Sequence, residues 1–298
     1  MSVITIKQVP TVDLLSNWLE KQVSQDSYDW LKQQQHKIIF GSAKRFFFTA
    51  FSAVPRYTGR EKLQLNQAEI QAARAKCSGW SPQFWRVDRA ARSLLVLSLI
   101  ESDEGSCFKT LDRVFAVADV EELVALYPML PLLPNPEEYR LRAAEGIRSN
   151  MTVVFNAVAL NNPYPTQYFD EAAWNQMVLK ALFVGSPLYP IQGLDRRTNP
   201  TLSMMLIDYA RERWAAKRSV SPELWRAMGE FADRTIITDW KRILADSEPV
   251  QRMAVALACN RCSLPEAQSL LSTYPNLQES INSGGLTWAS LEREVSQK

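Results

Sequence analysis

Apolar positions along this chain recur with a helical period. Val87, Ala91, Leu94, Leu95 and Ser98 fall on one face, as do Leu123, Leu126, Tyr127 and Leu130. Spacings of three and four residues bring side chains to one side of a 3.6-residue turn. A short extended piece at 3–6 is the one exception to this helical character. Helix starts are marked too. Ser81-Pro82, Asn135-Pro136, Asn199-Pro200 and Ser221-Pro222 each set an oxygen-bearing cap before a proline. The cap accepts from orphan N–H groups, and proline at the first helical position gives up none that would be bonded. Asp119 with Glu122, and Ser263 with Glu266, fit the reciprocal capping box.

These signals predict helices near 12–23, 27–38, 41–53, 67–76, 82–100, 104–117, 120–129, 136–160, 170–184, 200–217, 222–231, 233–245, 249–260, 264–273 and 287–296. Short connections favour antiparallel neighbours. The expected fold is all-α, a multi-helical αα-superhelix of irregular HEAT- or armadillo-like type. The string SEPVQRMAVALACN resembles an inner helix of a HEAT repeat, but no repeat period is visible. One all-helical domain is expected over 1–298. Within it, 1–60 reads as an N-terminal helical cap and 200–298 as a HEAT-like C-terminal half.

Composition narrows the function. With 34 basic and 32 acidic residues the net charge is +2, so no global field draws the chain to nucleic acid. Apolar runs such as 94–100 fall far short of the roughly 20 residues a membrane helix needs. The start of the chain lacks a basic segment followed by an apolar one, so no export signal is expected. Cys77, Cys107, Cys259 and Cys262 make no disulfide framework. Together these features point to the cytoplasm. Cys259 and Cys262 form a lone CxxC where a structural zinc site wants four ligands, so they read as structural. The single histidine, His36, lies in QQQHK and reads as a surface residue. It leaves no histidine cluster for a metal and makes a Ser-His-Asp triad improbable. Phosphate-cradling glycine motifs and GxSxG are absent. No cofactor and no metal are expected.

The densest chemistry lies at 142–214, where amides, carboxylates and arginines interleave with aromatics. Glu145, Arg148 and Thr152 share a face of the expected 136–160 helix, extended by Asn156, with Asn150 beside them. An asparagine inside a helix competes for the backbone, so Asn156 implies a partner. Gln176 and Lys180 stand one turn apart, opposite the apolar stripe of Trp174, Met177, Val178 and Ala181. The loop at 185–195 has two prolines and two glycines and brings Tyr189, Gln192 and Asp195. Asp208 and Arg211, with Arg213, close the stretch and read either as ion pairing along one helix or as recognition of an acidic or aromatic ligand. A second cluster, Arg86, Asp88, Arg89 and Arg92, reads as a salt-bridge lattice, with anion binding as the alternative. The basic, aromatic segment at 43–59 reads as a core helix, with membrane-surface contact as the alternative.

The chain resembles the EboA-domain family. The strings that carry the resemblance are VDRAARSLLVLSL (87–99), ADVEELVALYPMLPLLP (118–134), RAAEGIRSNMTVVFNAVALNNPYP (142–165), FDEAAWNQMVLKALFVGSPLYPIQGLDRRTNP (169–200) and DYARERW (208–214). The resemblance implies a bacterial gene cluster, common in cyanobacteria, that makes or moves a small metabolite. It also implies a prenyltransferase-like membrane protein and a metal-dependent hydrolase-like protein as neighbours. It brings no catalytic residues.

The expectation is therefore a non-enzymatic helical binding or scaffold protein in biosynthesis or export of a small metabolite, with prenylated compounds among the candidates. Its groove is expected from Glu145, Arg148, Asn150, Asn156, Gln176, Lys180, Tyr189, Gln192, Asp195, Asp208 and Arg211. Partners are the metabolite and pathway proteins, with peripheral membrane contact left open. The alternative is an enzyme using Glu, Lys, Asp or Tyr acid–base chemistry on a cyclitol- or isoprenoid-like substrate.

Overall fold

The protein is described by a computed structural model covering residues 10–41, 45–102 and 104–296. Among these residues the fold is all-α, as expected, and the one β-type contact is an isolated antiparallel bridge between Lys62 and Arg86. The extended piece expected at 3–6 lies outside the described residues. The chain divides into two compact units, Met1–Phe169 and Asp170–Lys298.

The first unit holds α1 (Pro10–Glu20), α2 (Gln25–Phe40), α3 (Arg45–Thr58), α4 (Gln67–Lys76), α5 (Val87–Ser102), α6 (Glu104–Val117), α7 (Val120–Leu126), α8 (Arg140–Arg148), α9 (Thr152–Ala159) and α10 (Tyr164–Tyr168). Its centre is α5, which packs against α1, α2, α3 and α7. From residue 87 to residue 100 every position of α5 is buried except Arg89. A helix buried on all sides belongs in a core, and α5 takes Asp88, Arg92, Ser93 and Ser98 into it along with its apolar residues. Its buried Ser98 hydroxyl donates to the Leu94 carbonyl at 2.9 Å and accepts from Gln35 of α2 at 3.0 Å. The aromatic helix α3 buries Phe47, Ala50, Phe51 and Val54, the core side of the two alternatives for this segment.

Several local expectations are corrected. The helix expected at 82–100 is a 3₁₀ turn (Pro82–Phe84) followed by α5, which starts only at Val87. The single helix expected at 136–160 is broken into a 3₁₀ turn (Pro136–Tyr139), α8 and α9. The Ser149 hydroxyl accepts from the Met151 N–H at 3.1 Å, and this local side-chain bond replaces the helical one. The helix expected at 222–231 is two 3₁₀ turns, and neither α10 nor α16 falls in an expected helix. Ser263 and Glu266 form no capping box, because the helix begins at Pro265 with no side-chain cap. The box at Asp119 and Glu122 is present with both bonds.

The second unit holds α11 (Glu171–Val184), α12 (Pro200–Ala215), α13 (Arg234–Asp246), α14 (Pro249–Arg261), α15 (Pro265–Ser272), α16 (Pro275–Asn282) and α17 (Trp288–Ser296). Its central helix is α14, the string read as HEAT-like, which packs against α13, α15 and α17. Cys259 and Cys262 are buried free thiols there, and burial pushes the Cys259 thiol up to about 12. A thiol held this far from ionising is a poor nucleophile at neutral pH.

Candidate functional site

In the second unit, Asp170 starts α11 by accepting from the Ala173 N–H at 2.8 Å. The helix then buries Trp174, Met177, Val178 and Ala181, the stripe read from the sequence. Gln176, Lys180 and Phe183 are left on the side away from that stripe. Asn199 caps α12 by accepting from the Leu202 N–H at 2.8 Å. Its amide also exchanges hydrogen bonds with Asn175 at 3.1 and 2.8 Å, which ties the two helices at one end. At the other, the Tyr209 hydroxyl donates to the Leu182 carbonyl at 3.2 Å. These ties fix the spacing of α11 and α12.

Between the tied helices runs an open groove of about 580 Å³, lined by Gln176, Leu179, Lys180, Phe183, Met205, Asp208, Tyr209 and Glu212. Its size lies within the range of small-molecule sites. Leu179, Phe183, Met205 and the Tyr209 ring supply apolar surface, while Gln176, Lys180, Asp208 and Glu212 supply both signs of charge and an amide. Phe183 is 78% exposed and adds its ring to the apolar wall of the groove. Partial burial lowers the Lys180 ammonium below its ordinary range. Such a groove can hold an apolar body and orient polar substituents.

Gln176, Lys180 and Asp208 thus meet in one groove. The other expected residues of this unit lie outside its lining. Tyr189 lines a smaller concavity of about 320 Å³ with Gly185, Ser186, Ser221 and Glu223. Gln192 is partly buried within the 185–195 loop. Both oxygens of Asp195 are held by guanidiniums: Arg226 at 2.8 and 2.7 Å, and Arg261 at 3.0 Å. Burial pushes Asp195 up, but the hydrogen bond and charge of Arg226, with the charge of Arg261, hold it below the usual carboxylate range. Arg211 pairs with Asp239 of α13 at 2.9 Å, and Arg213 donates to the Ser219 carbonyl at 2.9 Å. The ion pairing expected along α12 is thus replaced by bonds leaving the helix.

Sequence reasoning missed Glu223. Its buried carboxylate accepts from the backbone N–H groups of Leu188 and Tyr189 at 3.1 and 2.9 Å. Burial raises its pKa, against the lowering effect of those two N–H donors. Glu223 lies within the helix expected at 222–231, and its local sequence gives no sign that it reaches the 185–195 loop. This carboxylate pins the loop.

In the first unit, Glu145 accepts from Arg142 at 2.8 Å, and Arg142 also holds Asp112. Arg148 ends α8 and Asn150 lies in the following turn, both exposed. The line expected through Glu145, Arg148, Thr152 and Asn156 is interrupted by that turn. Asn156, on α9, lines a concavity of about 310 Å³ that also contains Arg89.

Fold and concavities define an all-helical protein with open grooves of mixed apolar and polar lining. Residues 11–229 match the family of metabolite traffic protein EboA, and the chain belongs to that family. No functionally curated protein and no solved structure matches it.

Proposed function

We propose that this chain is a non-enzymatic metabolite-binding protein whose ligand lies in the α11–α12 groove. The observation that carries the reading is the exposed Phe183 on the apolar wall, with Lys180, Asp208 and Glu212 set around it. Water would be displaced from that wall by a compact apolar body, and the charges would select its polar substituents. Prenylated compounds suit this lining. Asp195 fits the same reading: fastened to Arg226 and Arg261, it serves to hold the loop.

The family's association with metabolite traffic supports a role in carrying or presenting such a compound. Pathway proteins, including a prenyltransferase-like membrane protein, are the partners this reading favours. No helix among the described residues is long and apolar enough to cross a membrane. A cytoplasmic location with peripheral membrane contact is part of the proposal.

Equilibrium dialysis against a small-molecule cell extract, read by mass spectrometry, tests the reading with wild type and Phe183→Asp. Phe183 is exposed, so the variant is expected to keep its Tm within about 2 °C. Compounds enriched by wild type should fall at least tenfold in the variant. Equal enrichment by both proteins, or chemical conversion of the retained compound, would overturn the proposal.

A further inference from the structure

Three arginines stand at the start of α5, Arg86 just before it and Arg89 and Arg92 in its first two turns, and they have different surroundings. Arg86 grips Asp88 through two bonds of 2.9 Å and reaches Glu121 as well. Arg92 pairs with Asp88 at 3.4 Å, donates to the Phe51 carbonyl at 3.2 Å and lies over the Phe51 ring. The nearby carboxylates Asp88 and Glu121 are therefore engaged. Arg89 stands between these two arginines in sequence, yet among the described residues its guanidinium makes no ion pair and no hydrogen bond. It is also the one position from 87 to 100 where α5 is not fully buried.

What Arg89 faces instead is the concavity of about 310 Å³ between the start of α5, α7 and α9. Trp85, Val124, Pro128, Ala157 and Leu160 supply apolar lining. Phe84 and Val153 stand at its rim, 55% and 56% exposed. Asn156 and Asn161 add amides. Burial, followed by the neighbouring charge of Arg86, pushes the Arg89 guanidinium down to about 10, against the pull of Asp88 and Glu121. A desolvated charge without a partner is costly to hold in a folded chain. A guanidinium fork at an apolar opening is complementary to a planar or tetrahedral oxyanion.

We infer that this concavity is a second ligand site, which takes the carboxylate or phosphate of a small amphiphilic molecule on Arg89 and its apolar body on Phe84, Val124, Pro128 and Val153. It lies wholly within the first unit and is independent of the α11–α12 groove. The apolar rim separates it from a simple inorganic-anion site: it is suited to an anion that carries hydrocarbon.

Isothermal titration of the full chain at pH 7.5 tests this with four probes: 1-naphthyl phosphate, 1-naphthylacetate, neutral 2-(1-naphthyl)ethanol and inorganic phosphate. One or both naphthyl anions should bind, which tells phosphate from carboxylate. The alcohol and inorganic phosphate should each bind at least tenfold more weakly than the better anion. Arg89→Gln should reduce anion binding at least tenfold while leaving Tm unchanged or higher, since it removes an unpaired charge. Arg89→Lys should recover part of the affinity, as a point charge without the fork. Phe183→Asp should leave anion binding unaltered, which separates this site from the groove. Anion binding that survives Arg89→Gln, an alcohol that binds as well as the anions, or no binding by any probe overturns the inference. Should the glutamine variant not fold, undiminished affinity in Arg89→Lys has the same force.

Discussion

Single residues in this protein divide between fasteners and open lining. Arg226 is the clearest fastener: it holds Asp195 bidentately, reaches Glu292 at 2.6 Å and lies over the Trp288 ring. It thereby links the 185–195 loop to α17. Removing it takes one guanidinium from each of Asp195 and Glu292 in a half-buried setting. Arg226→Leu is expected to destabilise the fold by about 2 kcal/mol, below the value for a fully buried pair because water reaches part of the cluster. Urea denaturation checks this.

The acid response of Asp195 has a defined sign. Its pKa is lower folded than unfolded, so its contribution is present above the unfolded value of 3.8 and is lost as pH falls through the folded value. The stability gap between wild type and Asp195→Asn should thus be full at pH 7 and narrow below about pH 4. A gap that stays constant down to pH 3 would contradict this assignment. Glu223 acts in the opposite direction. Burial raises its pKa, so its ionisation opposes folding as pH rises from 4.5 through the folded value.

At the scale of elements, the joint between α8 and α9 shows what periodicity can and cannot convey. The apolar pattern reads continuously across it, but the Ser149 hydroxyl takes the Met151 N–H and ends α8. Such a bond depends on one rotamer and leaves no periodic trace. Gly146 marks the close packing beyond the joint. A Cβ there would sit 2.6 Å from a Val158 methyl and 2.7 Å from the Tyr127 ring. Alanine ordinarily favours a helix over glycine by about 1 kcal/mol. Here overpacking should outweigh that gain, and Gly146→Ala is expected to lower stability by about 1–3 kcal/mol. A higher urea midpoint in the variant would show that α9 can move away. By contrast α11 was legible throughout, because its buried stripe is set by spacing alone. The cap at Asn199 was legible too, since its bond partner lies three residues away.

Across the whole molecule, the sequence pointed to an all-helical chain and to three polar residues of the α11–α12 groove, but not to Phe183, Met205 or Glu212, whose exposure and neighbours no local pattern marks. Gln176, Lys180 and Asp208 were marked by their positions opposite an apolar stripe or near a chain of aromatics, and these are local signals. What it could not separate were Arg86, Arg89 and Arg92. Their spacing is regular, and what distinguishes the paired arginines from Arg89 is that Asp88 turns to Arg86 and Arg92 while Glu121 and Phe51 reach them from other elements. Tertiary pairing likewise turned Asp195 from a candidate acid–base group into a fastener. The picture proposed is of a family member with one candidate ligand concavity in each of its two compact units.

Met205 lines the α11–α12 groove and provides a reporter for the central claim. The chain would be labelled with methyl-¹³C methionine and titrated with the compounds retained in dialysis, following the methyl resonances. A site in the groove predicts that the Met205 methyl shifts in a saturable manner while that of Met253, on α14, stays in place. Saturable binding that leaves the Met205 methyl unmoved would contradict the account.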